Sequence, residues 1–195
     1  LQSNQNGSAS LFNSLNKIDL NLYDSLAVGP GIGIDNKDWE KSKDLLMNFE
    51  GLLILDADAL NRISESKFGS RFFLERKFKT WITPHSKEFL RLFPYIESDT
   101  YVGLALKAAK EFNISVLLKG ANSVIADNKK AWQLYGTDSQ TARAGLGDLL
   151  SGFIAGSSAI DLTFNRNITT EFFAKYVLLH SFAASKCKNG SNASA

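Results

Sequence analysis

The stretch Thr141-Ala-Arg-Ala-Gly-Leu-Gly-Asp148 runs directly into the apolar sequence Leu149-Leu-Ser-Gly-Phe-Ile154. Two glycines let the backbone turn tightly and bring bare N–H groups close to a ligand. Free N–H groups at the start of a helix, together with the helix dipole, favour anions there. A carboxylate beside an anion site is suited to take a proton from an alcohol. The stretch therefore predicts a phosphate-binding turn with a base next to it, although the pattern also fits an ordinary loop and helix N-cap.

Short apolar runs alternate with amphipathic segments on either side of this turn. Such alternation predicts an α/β fold with a parallel or mostly parallel sheet covered by helices on both faces. The predicted strands are Ser25–Val28, Leu52–Leu55, Thr80–Thr83 and Ser115–Leu118, followed by a hairpin of Ser123–Ala126 and Ala131–Tyr135. The predicted helices are Lys37–Phe49, one from about Ser86, Asp99–Phe112, Gly147–Ile160 and Thr170–Cys187.

Residues with chemical functions cluster in the loops that follow these strands. In open α/β sheets, ligands bind beyond the carboxyl ends of the strands. We therefore expect the loops to meet at one edge of the sheet and to form a single site. The loops are Gly29-Pro-Gly-Ile-Gly33, Asp56-Ala-Asp58, Pro84-His85, Lys119-Gly120 and Ala144-Gly-Leu-Gly-Asp148.

Each loop taken alone also has a structural interpretation. Asp56 and Asp58 could bind Mg²⁺ directly or through water, but we favour Asp58 as the cap of the helix that follows. His85 is either a site residue or a half-buried loop residue, with Ser86 as the expected helix N-cap. Lys119 either offers a point charge to a phosphate or is a solvated lysine at a strand end.

Composition narrows the classes of function. The chain has 195 residues and a net charge of +2, with basic residues scattered along it, so we expect one domain and no nucleic-acid partner. No apolar run is long enough to span a bilayer. Cys187 is the only cysteine, which fits a reducing cytoplasm and, with two histidines, excludes a standard zinc site. His180 and the three tryptophans fall in apolar patterns and are expected to be structural.

Five motifs taken together resemble one family in order and spacing: the ADP-dependent NAD(P)H-hydrate dehydratases, a metabolite-repair branch of the ribokinase-like fold. The resemblance covers about residues 26–184 and implies a ribokinase-like three-layer sandwich, a mostly parallel sheet with helices on both faces. The motifs are Val28-Gly-Pro-Gly-Ile-Gly33, Leu55-Asp-Ala-Asp-Ala-Leu-Asn61, Ile82-Thr-Pro-His-Ser-Lys-Glu-Phe89, Leu118-Lys-Gly-Ala-Asn-Ser-Val124 and Ala144-Gly-Leu-Gly-Asp148.

The resemblance implies that hydrated NADH or NADPH is the substrate and that ADP, or ATP, with Mg²⁺ is the co-substrate. Phosphorylation turns the ring hydroxyl into a leaving group, and phosphate is then eliminated. By position, Asp148 is the base and also contacts the substrate, and Gly33 and His85 contact the hydrated dinucleotide. The implied nucleotide site is Lys119, Gly120, Ala121, Asn122, Ser123 and Gly147, and the implied anion hole is Gly145, Leu146 and Gly147.

The chain departs from the family pattern at several positions. Leu146 stands where the family has Ser or Thr, Arg143 where Thr is common, and Lys87 where a glycine is usual. Losing the hydroxyl at position 146 removes one donor from the anion hole but leaves the backbone N–H groups. Arg143 is a candidate for compensating charge.

The same resemblance implies that residues 1–195 form one dehydratase domain without its N-terminal strand–helix section and its last C-terminal segment. We also expect a fused epimerase domain and assembly of the protein into a homo-oligomer. Two other functions stay open at this point. One is a small-molecule kinase of the same fold, acting on a vitamin precursor or a sugar. The other is a nucleotide-binding module without catalysis.

Overall fold

One six-stranded sheet runs through the part of the chain that the computed structural model describes, residues 10–135, 145–164 and 167–186. The strands lie side by side in chain order; the first four pair in parallel, and the fifth runs antiparallel to both the fourth and the sixth. The expected mostly parallel sheet is therefore confirmed. The strands are β1 (Ser25–Val28), β2 (Leu52–Leu55), β3 (Thr80–Ile82), β4 (Ser115–Leu118), β5 (Val124–Ala126) and β6 (Ala131–Gln133).

Helices cover both faces of the sheet and complete the three layers. Successive side chains of a strand point to opposite faces. Leu53 and Leu55 accordingly pack in a core with the first six helices, whereas Leu52 and Ile54 pack in a second core with the last two. The first six are α1 (Leu11–Leu15), α2 (Asn36–Asn48), α3 (Ala57–Glu65), α4 (Arg71–Glu75), α5 (Ser86–Leu92) and α6 (Tyr101–Phe112), and the last two are α7 (Leu146–Phe164) and α8 (Thr170–Lys186). A 3-10 turn at Leu20–Leu22 precedes β1.

Buried Arg76 joins the end of α2 to the start of the sheet. Its guanidinium donates to the carbonyls of Leu46, Met47 and Gly51 and to the hydroxyl of Thr80, at 2.6–3.2 Å. These acceptors satisfy donors that would otherwise be buried without partners. Burial lowers the pKa of Arg76 to about 10, so the guanidinium stays charged at neutral pH.

The predicted elements are present with small differences at their ends, the largest at α7, which ends at Phe164 and not at Ile160; helices α1 and α4 were not predicted. Helix α6 begins at Tyr101, not Asp99, because the side chain of Thr100 caps it by accepting from Gly103 N. The hairpin turns at Asp127, whose carboxylate accepts from Lys129 N and Lys130 N at 2.8 Å. Its strands are shorter than predicted, although Leu134 N still donates to Ser123 O. Cys187 lies outside the described residues.

The expected structural side chains lie where the apolar patterns put them. Trp39 and Trp81 are buried, Trp132 is half-buried, and His180 is half-buried with its ring 6.2 Å from that of Phe153. Within the described ranges, no helix has the length and apolar character needed to cross a membrane.

Candidate functional site

The loops after the four parallel strands meet at the carboxyl edge of the sheet. Asp56 N donates to Val28 O at 3.1 Å, which joins the ends of β1 and β2. Lys119 N donates to Pro84 O at 2.8 Å, and His85 and Lys119 form a parallel bridge, which joins the loops after β3 and β4. The backbone therefore brings four of the predicted loops together.

Asp56 lies at the centre of this edge and is 2% exposed. Its Oδ1 accepts from Ala57 N at 2.9 Å and from Lys119 Nζ at 2.8 Å, and its Oδ2 accepts from Ser151 Oγ at 2.6 Å. Asp56 is also the N-cap of α3, with extended φ and ψ of −139° and 166°. The prediction of Asp58 as that cap is wrong, because Asp58 is the second residue of the helix.

The first turn of α7 adjoins Lys119. Gly145 has a φ of 88°, in the region that favours glycine, and its carbonyl accepts from Leu149 N at 3.0 Å. A Cβ on Gly147 would lie 3.8 Å from Lys119 Nζ. Asp148 follows in the same turn and is exposed. A cation, the start of a nineteen-residue helix and an accessible carboxylate thus lie together.

Gly33 is held by groups of the chain itself. Its N–H donates to Asp58 Oδ2 at 2.9 Å, and its carbonyl accepts from Arg62 Nε at 2.5 Å. Fully buried Arg62 also bonds the carbonyl of Ile32 and lies 3.5 Å from a carboxylate oxygen of Asp38. Both backbone polar groups of Gly33 are therefore engaged, so a ligand would meet its bare Cα face.

His85 caps α5, and the prediction of Ser86 in that role is wrong. His85 Nδ1 accepts from Lys87 N at 3.1 Å and from Glu88 N at 3.3 Å, while Glu88 Oε2 accepts from His85 N at 2.8 Å. With Nδ1 accepting, the neutral ring carries its proton on Nε2, which lies 3.4 Å from Glu88 Oε1. The side chain is half exposed at the edge of the sheet, so part of the ring is accessible to a ligand.

The loop after β4 forms an exposed turn next to Lys119. Ser123 Oγ bonds both the carbonyl and the N–H of Gly120, at 3.2 and 3.3 Å, and Ala121 and Asn122 are exposed. A Cβ on Gly120 would stand 3.4 Å from the ring of Tyr101. The loop therefore presents backbone to solvent beside an aromatic ring.

Comparison with known proteins assigns the family. The family model for NAD(P)H-hydrate dehydratase matches residues 5–193. The chain belongs to the NAD(P)H-hydrate dehydratase family.

Individual relatives agree with this assignment. The chain is 35% identical over 143 residues to the bifunctional NAD(P)H-hydrate repair enzyme Nnr of Synechocystis, covering 73% of this chain and 26% of that protein. It therefore spans about a quarter of the length of the curated relatives it matches.

Solved structures establish the fold. The ADP/ATP-dependent NAD(P)H-hydrate dehydratase of Bacillus subtilis, co-crystallised with ATP and Mg²⁺, superposes with a TM-score of 0.74 at 22% identity, over 94% of this chain and 63% of that one. The hydroxyethylthiazole kinase of Pyrococcus horikoshii superposes with a TM-score of 0.68 at 18% identity, over 94% and 70%. The predicted ribokinase-like fold is thus confirmed.

The described residues of this family member do not form a metal cage. They hold no group of three or more His, Cys, Asp or Glu side chains placed to bind a metal ion. Asp56 is already bonded to a lysine and a serine, and Asp58 holds Gly33 N. A magnesium ion would therefore need most of its ligands from water and phosphate, which is how Mg²⁺ commonly binds.

Sequence reasoning missed three residues of this edge. Ser151 and Tyr101 looked like ordinary helix positions, and only the packing of α7 and α6 brings them to Asp56 and Gly120. Arg62 could have been found from the sequence, because it is a positively charged residue between Leu60 and Ile63, on the buried face of α3. Arg143 and Ala144 lie outside the described residues, so the idea of compensating charge from Arg143 stays a prediction.

Proposed function

We propose that this chain forms the dehydratase domain of an NAD(P)H-hydrate repair enzyme. Hydrated NADH or NADPH would be phosphorylated on the ring hydroxyl by ADP or ATP, and elimination of phosphate would restore the dinucleotide. The observation that carries this proposal is the meeting of Lys119, buried Asp56 and the first turn of α7 at one sheet edge, in a chain of the dehydratase family.

Asp148 is proposed to take the proton of the ring hydroxyl as the phosphoryl group is transferred. It is exposed and lies in the first turn of α7, beside N–H groups that helix geometry leaves without partners. Negative charge that develops on the transferring phosphate would be stabilised by the backbone of Gly145, Leu146 and Gly147. Leu146 supplies no side-chain donor, so the backbone carries this role.

Nucleotide and substrate are proposed to occupy opposite sides of this turn. Lys119, Gly120, Ala121, Asn122 and Ser123 would hold the nucleotide, with Lys119 Nζ as a point charge for phosphate. Gly33 and His85 would contact the hydrated dinucleotide. Mg²⁺ bound to the nucleotide would neutralise phosphate charge during transfer.

A further strand–helix unit, outside this sequence, is proposed to complete the domain. Among the described strands, β1 pairs only with β2, so one edge of β1 has no strand beside it. Helix α7, which packs on β1, leaves Leu149, Phe153, Ile160 and Phe164 exposed. An unpaired strand edge and exposed apolar side chains each favour a covering element, and a fused epimerase domain agrees with the word bifunctional in the relatives' names.

A second copy of the chain is the other candidate cover for this surface and would make the protein a homo-oligomer. A substrate formed from NADH or NADPH supports a cytoplasmic site for the reaction. Light scattering of the chain alone, and of the chain joined to the additional unit, separates the two covers. If the chain is monomeric only when it is joined to the unit, the result supports the unit as the cover. If it is a stable dimer with and without the unit, the result supports self-association.

The decisive experiment follows the recovery of NADH absorbance from hydrated NADH, with ADP or ATP and Mg²⁺ present or omitted. We expect recovery that depends on nucleotide and falls by about 10²–10⁴-fold in Asp148→Asn, which is the usual contribution of a general base. The melting temperature should not change, because Asp148 is exposed. Undiminished recovery in Asp148→Asn would remove that residue from its assigned role.

A kinase of the same fold is the second candidate, favoured by the superposition on a hydroxyethylthiazole kinase. It would use the same turn and aspartate, but its product would be a stable phosphate ester. Release of inorganic phosphate in step with NADH recovery supports the dehydratase. Binding of ADP without phosphate release or ester formation would instead support a non-catalytic nucleotide-binding module.

A further inference from the structure

Asp56 connects three elements that the proposed reaction needs, yet it is too buried to meet a substrate. It follows β2 and caps α3, its Oδ1 accepts a hydrogen bond from Lys119 just after β4, and its Oδ2 accepts one from Ser151 on α7. The residue is 2% exposed, and both carboxylate oxygens accept hydrogen bonds from the chain. Any direct contact with a ligand would first have to displace Lys119 or Ser151.

The bond to Lys119 fixes the position of a side chain that is otherwise flexible. A lysine ammonium sits on a four-carbon stem with many rotamers, and Lys119 is a quarter exposed, so solvent competes for it. Asp56 Oδ1, at 2.8 Å, keeps Nζ at the sheet edge, 3.8 Å from the Cβ position of Gly147. The cation is thus held against the first turn of α7.

The hydrogen bond to Ser151 fixes the position of the first turn of α7 itself. Ser151 lies one turn after Gly147 and Asp148, and its hydroxyl approaches Gly147 O at 3.2 Å and Asp56 Oδ2 at 2.6 Å. The shorter contact ties α7 to the end of β2. A shift of α7 along its axis would move Asp148 relative to Lys119, so one carboxylate controls the distance between the proposed base and the proposed phosphate cation.

We propose that Asp56 is a positioning residue that acts through Lys119 on nucleotide binding and through Ser151 on the placement of Asp148. This inference rests on the proposed function: the effect through Lys119 on the proposed nucleotide site, and the effect through Ser151 on the proposed reaction as well. The first arm, the link between Asp56 and Lys119, concerns nucleotide binding and holds for any nucleotide-dependent activity at this edge.

Asp56→Asn tests both arms because it keeps size and capping ability while removing the charge. Asparagine caps helices as well as aspartate does, so α3 should persist, as far-UV circular dichroism would check. We expect ADP affinity by calorimetry to fall about tenfold, the usual effect of losing a hydrogen bond to a charged group, and kcat to fall as well. Asp127→Asn is the matched control, since Asp127 accepts only backbone bonds of the hairpin turn in the contacts the structure gives.

Two further variants separate this role from a merely structural one. In Asp56→Asn combined with Lys119→Ala, ADP should bind no more weakly than in Lys119→Ala alone, because the two residues act through one contact. Ser151→Ala should lower kcat and leave ADP affinity unchanged. If Asp56→Asn fails to fold, Ser151→Ala still decides the second arm: a lowered kcat supports it, and an unchanged kcat overturns it.

Independent, additive losses of ADP affinity in the double variant would overturn the first arm. Unchanged ADP affinity and kcat in a folded Asp56→Asn would overturn both arms. If the unsubstituted protein binds ADP but does not repair hydrated NADH, the proposed function has failed. The calorimetric comparison still tests the link between Asp56 and Lys119 in that case, so the two failures are distinguishable.

Discussion

Lys119 joins a strand end, a buried carboxylate and a helix start, so its removal should have two separable effects. In Lys119→Ala, we expect ADP affinity to fall about tenfold and the affinity for hydrated NADH to change less. Asp56 would lose its cation while buried, which should lower the free energy of unfolding by about 1–3 kcal/mol.

Calorimetry with ADP, the KM for hydrated NADH and urea unfolding measure these effects. Lys110→Ala, at an exposed position on α6, is the control for loss of one positive charge. A larger effect on hydrated NADH than on ADP would mean that the two sites are exchanged.

His180 gives the chain a predictable sensitivity to acid. Burial lowers the pKa of His180 below its ordinary value. Below about pH 6.5, unfolded chains therefore take up a proton on this residue while folded chains resist it. The free energy of unfolding must then fall as the pH drops through that range.

We expect His180→Gln to lose part of this acid sensitivity. Urea unfolding of both proteins between pH 8 and pH 5 measures it, and the pH range above 7.5 is the internal control. The stability difference between the two proteins should be constant there, because the imidazole is neutral in both states. A difference that stays constant down to pH 5 would contradict the prediction.

Helix caps show where sequence patterns stop being decisive. In Asp56-Ala-Asp58 and in His85-Ser86, two nearby side chains could each accept hydrogen bonds from the N–H groups at a helix start. Backbone angles settle the choice, because both true caps are extended, with φ and ψ of −139° and 166° for Asp56 and −80° and 170° for His85. The pairing of Asp56 with Lys119, 63 residues apart, depends on strand order and register, which local patterns do not contain.

The turn after β1 shows how one element positions its neighbour. Gly29 has a φ of 147°, and a Cβ there would lie 1.8 Å from the carbonyl oxygen of Asp56. Gly31 has a φ of 71°, and nothing lies within 4 Å of its Cβ position. The first glycine is therefore required both by its backbone conformation and by the close approach of Asp56, and the second only by its backbone conformation.

Alanine at these two positions should separate the two requirements. Gly29→Ala should destabilise the chain by about 2–5 kcal/mol, from strain and overpacking together, and should weaken ADP binding by displacing Asp56. Gly31→Ala should cost only about 1–2 kcal/mol. Thermal unfolding and calorimetry with ADP check both, and equal losses in the two variants would show that the contact with Asp56 is unimportant.

Strand positions were predictable because buried parallel strands leave short apolar runs in the sequence. The runs at Ser25–Val28, Leu52–Leu55 and Ser115–Leu118 match β1, β2 and β4. Short helices were not predictable in the same way. Helix α4 has only five residues and no side-chain cap bond, so its stability comes from packing two phenylalanines into the core.

The two hydrophobic cores, one on each face of the sheet, support different parts of the proposed site. Phe72 is buried between the sheet and the larger helical layer, with its ring 5.9 Å from that of Trp39. The ring of Phe173 on α8 stacks on that of Trp81 in β3, with 4.5 Å between ring centroids, in the core against which α7 also packs. Helix α7 carries Asp148 and Ser151, so the second core supports the position of the base, while the first supports the strands beneath it.

Phe173→Ala and Phe72→Ala should therefore destabilise the chain similarly and affect activity differently. Each opens a cavity worth about 3–5 kcal/mol. Below both melting temperatures, we expect Phe173→Ala to lower kcat for repair of hydrated NADH far more than Phe72→Ala does, because only the former loosens the layer that holds α7. Matched kcat losses at matched stability would show that activity follows global stability and not the packing of α7 against the sheet.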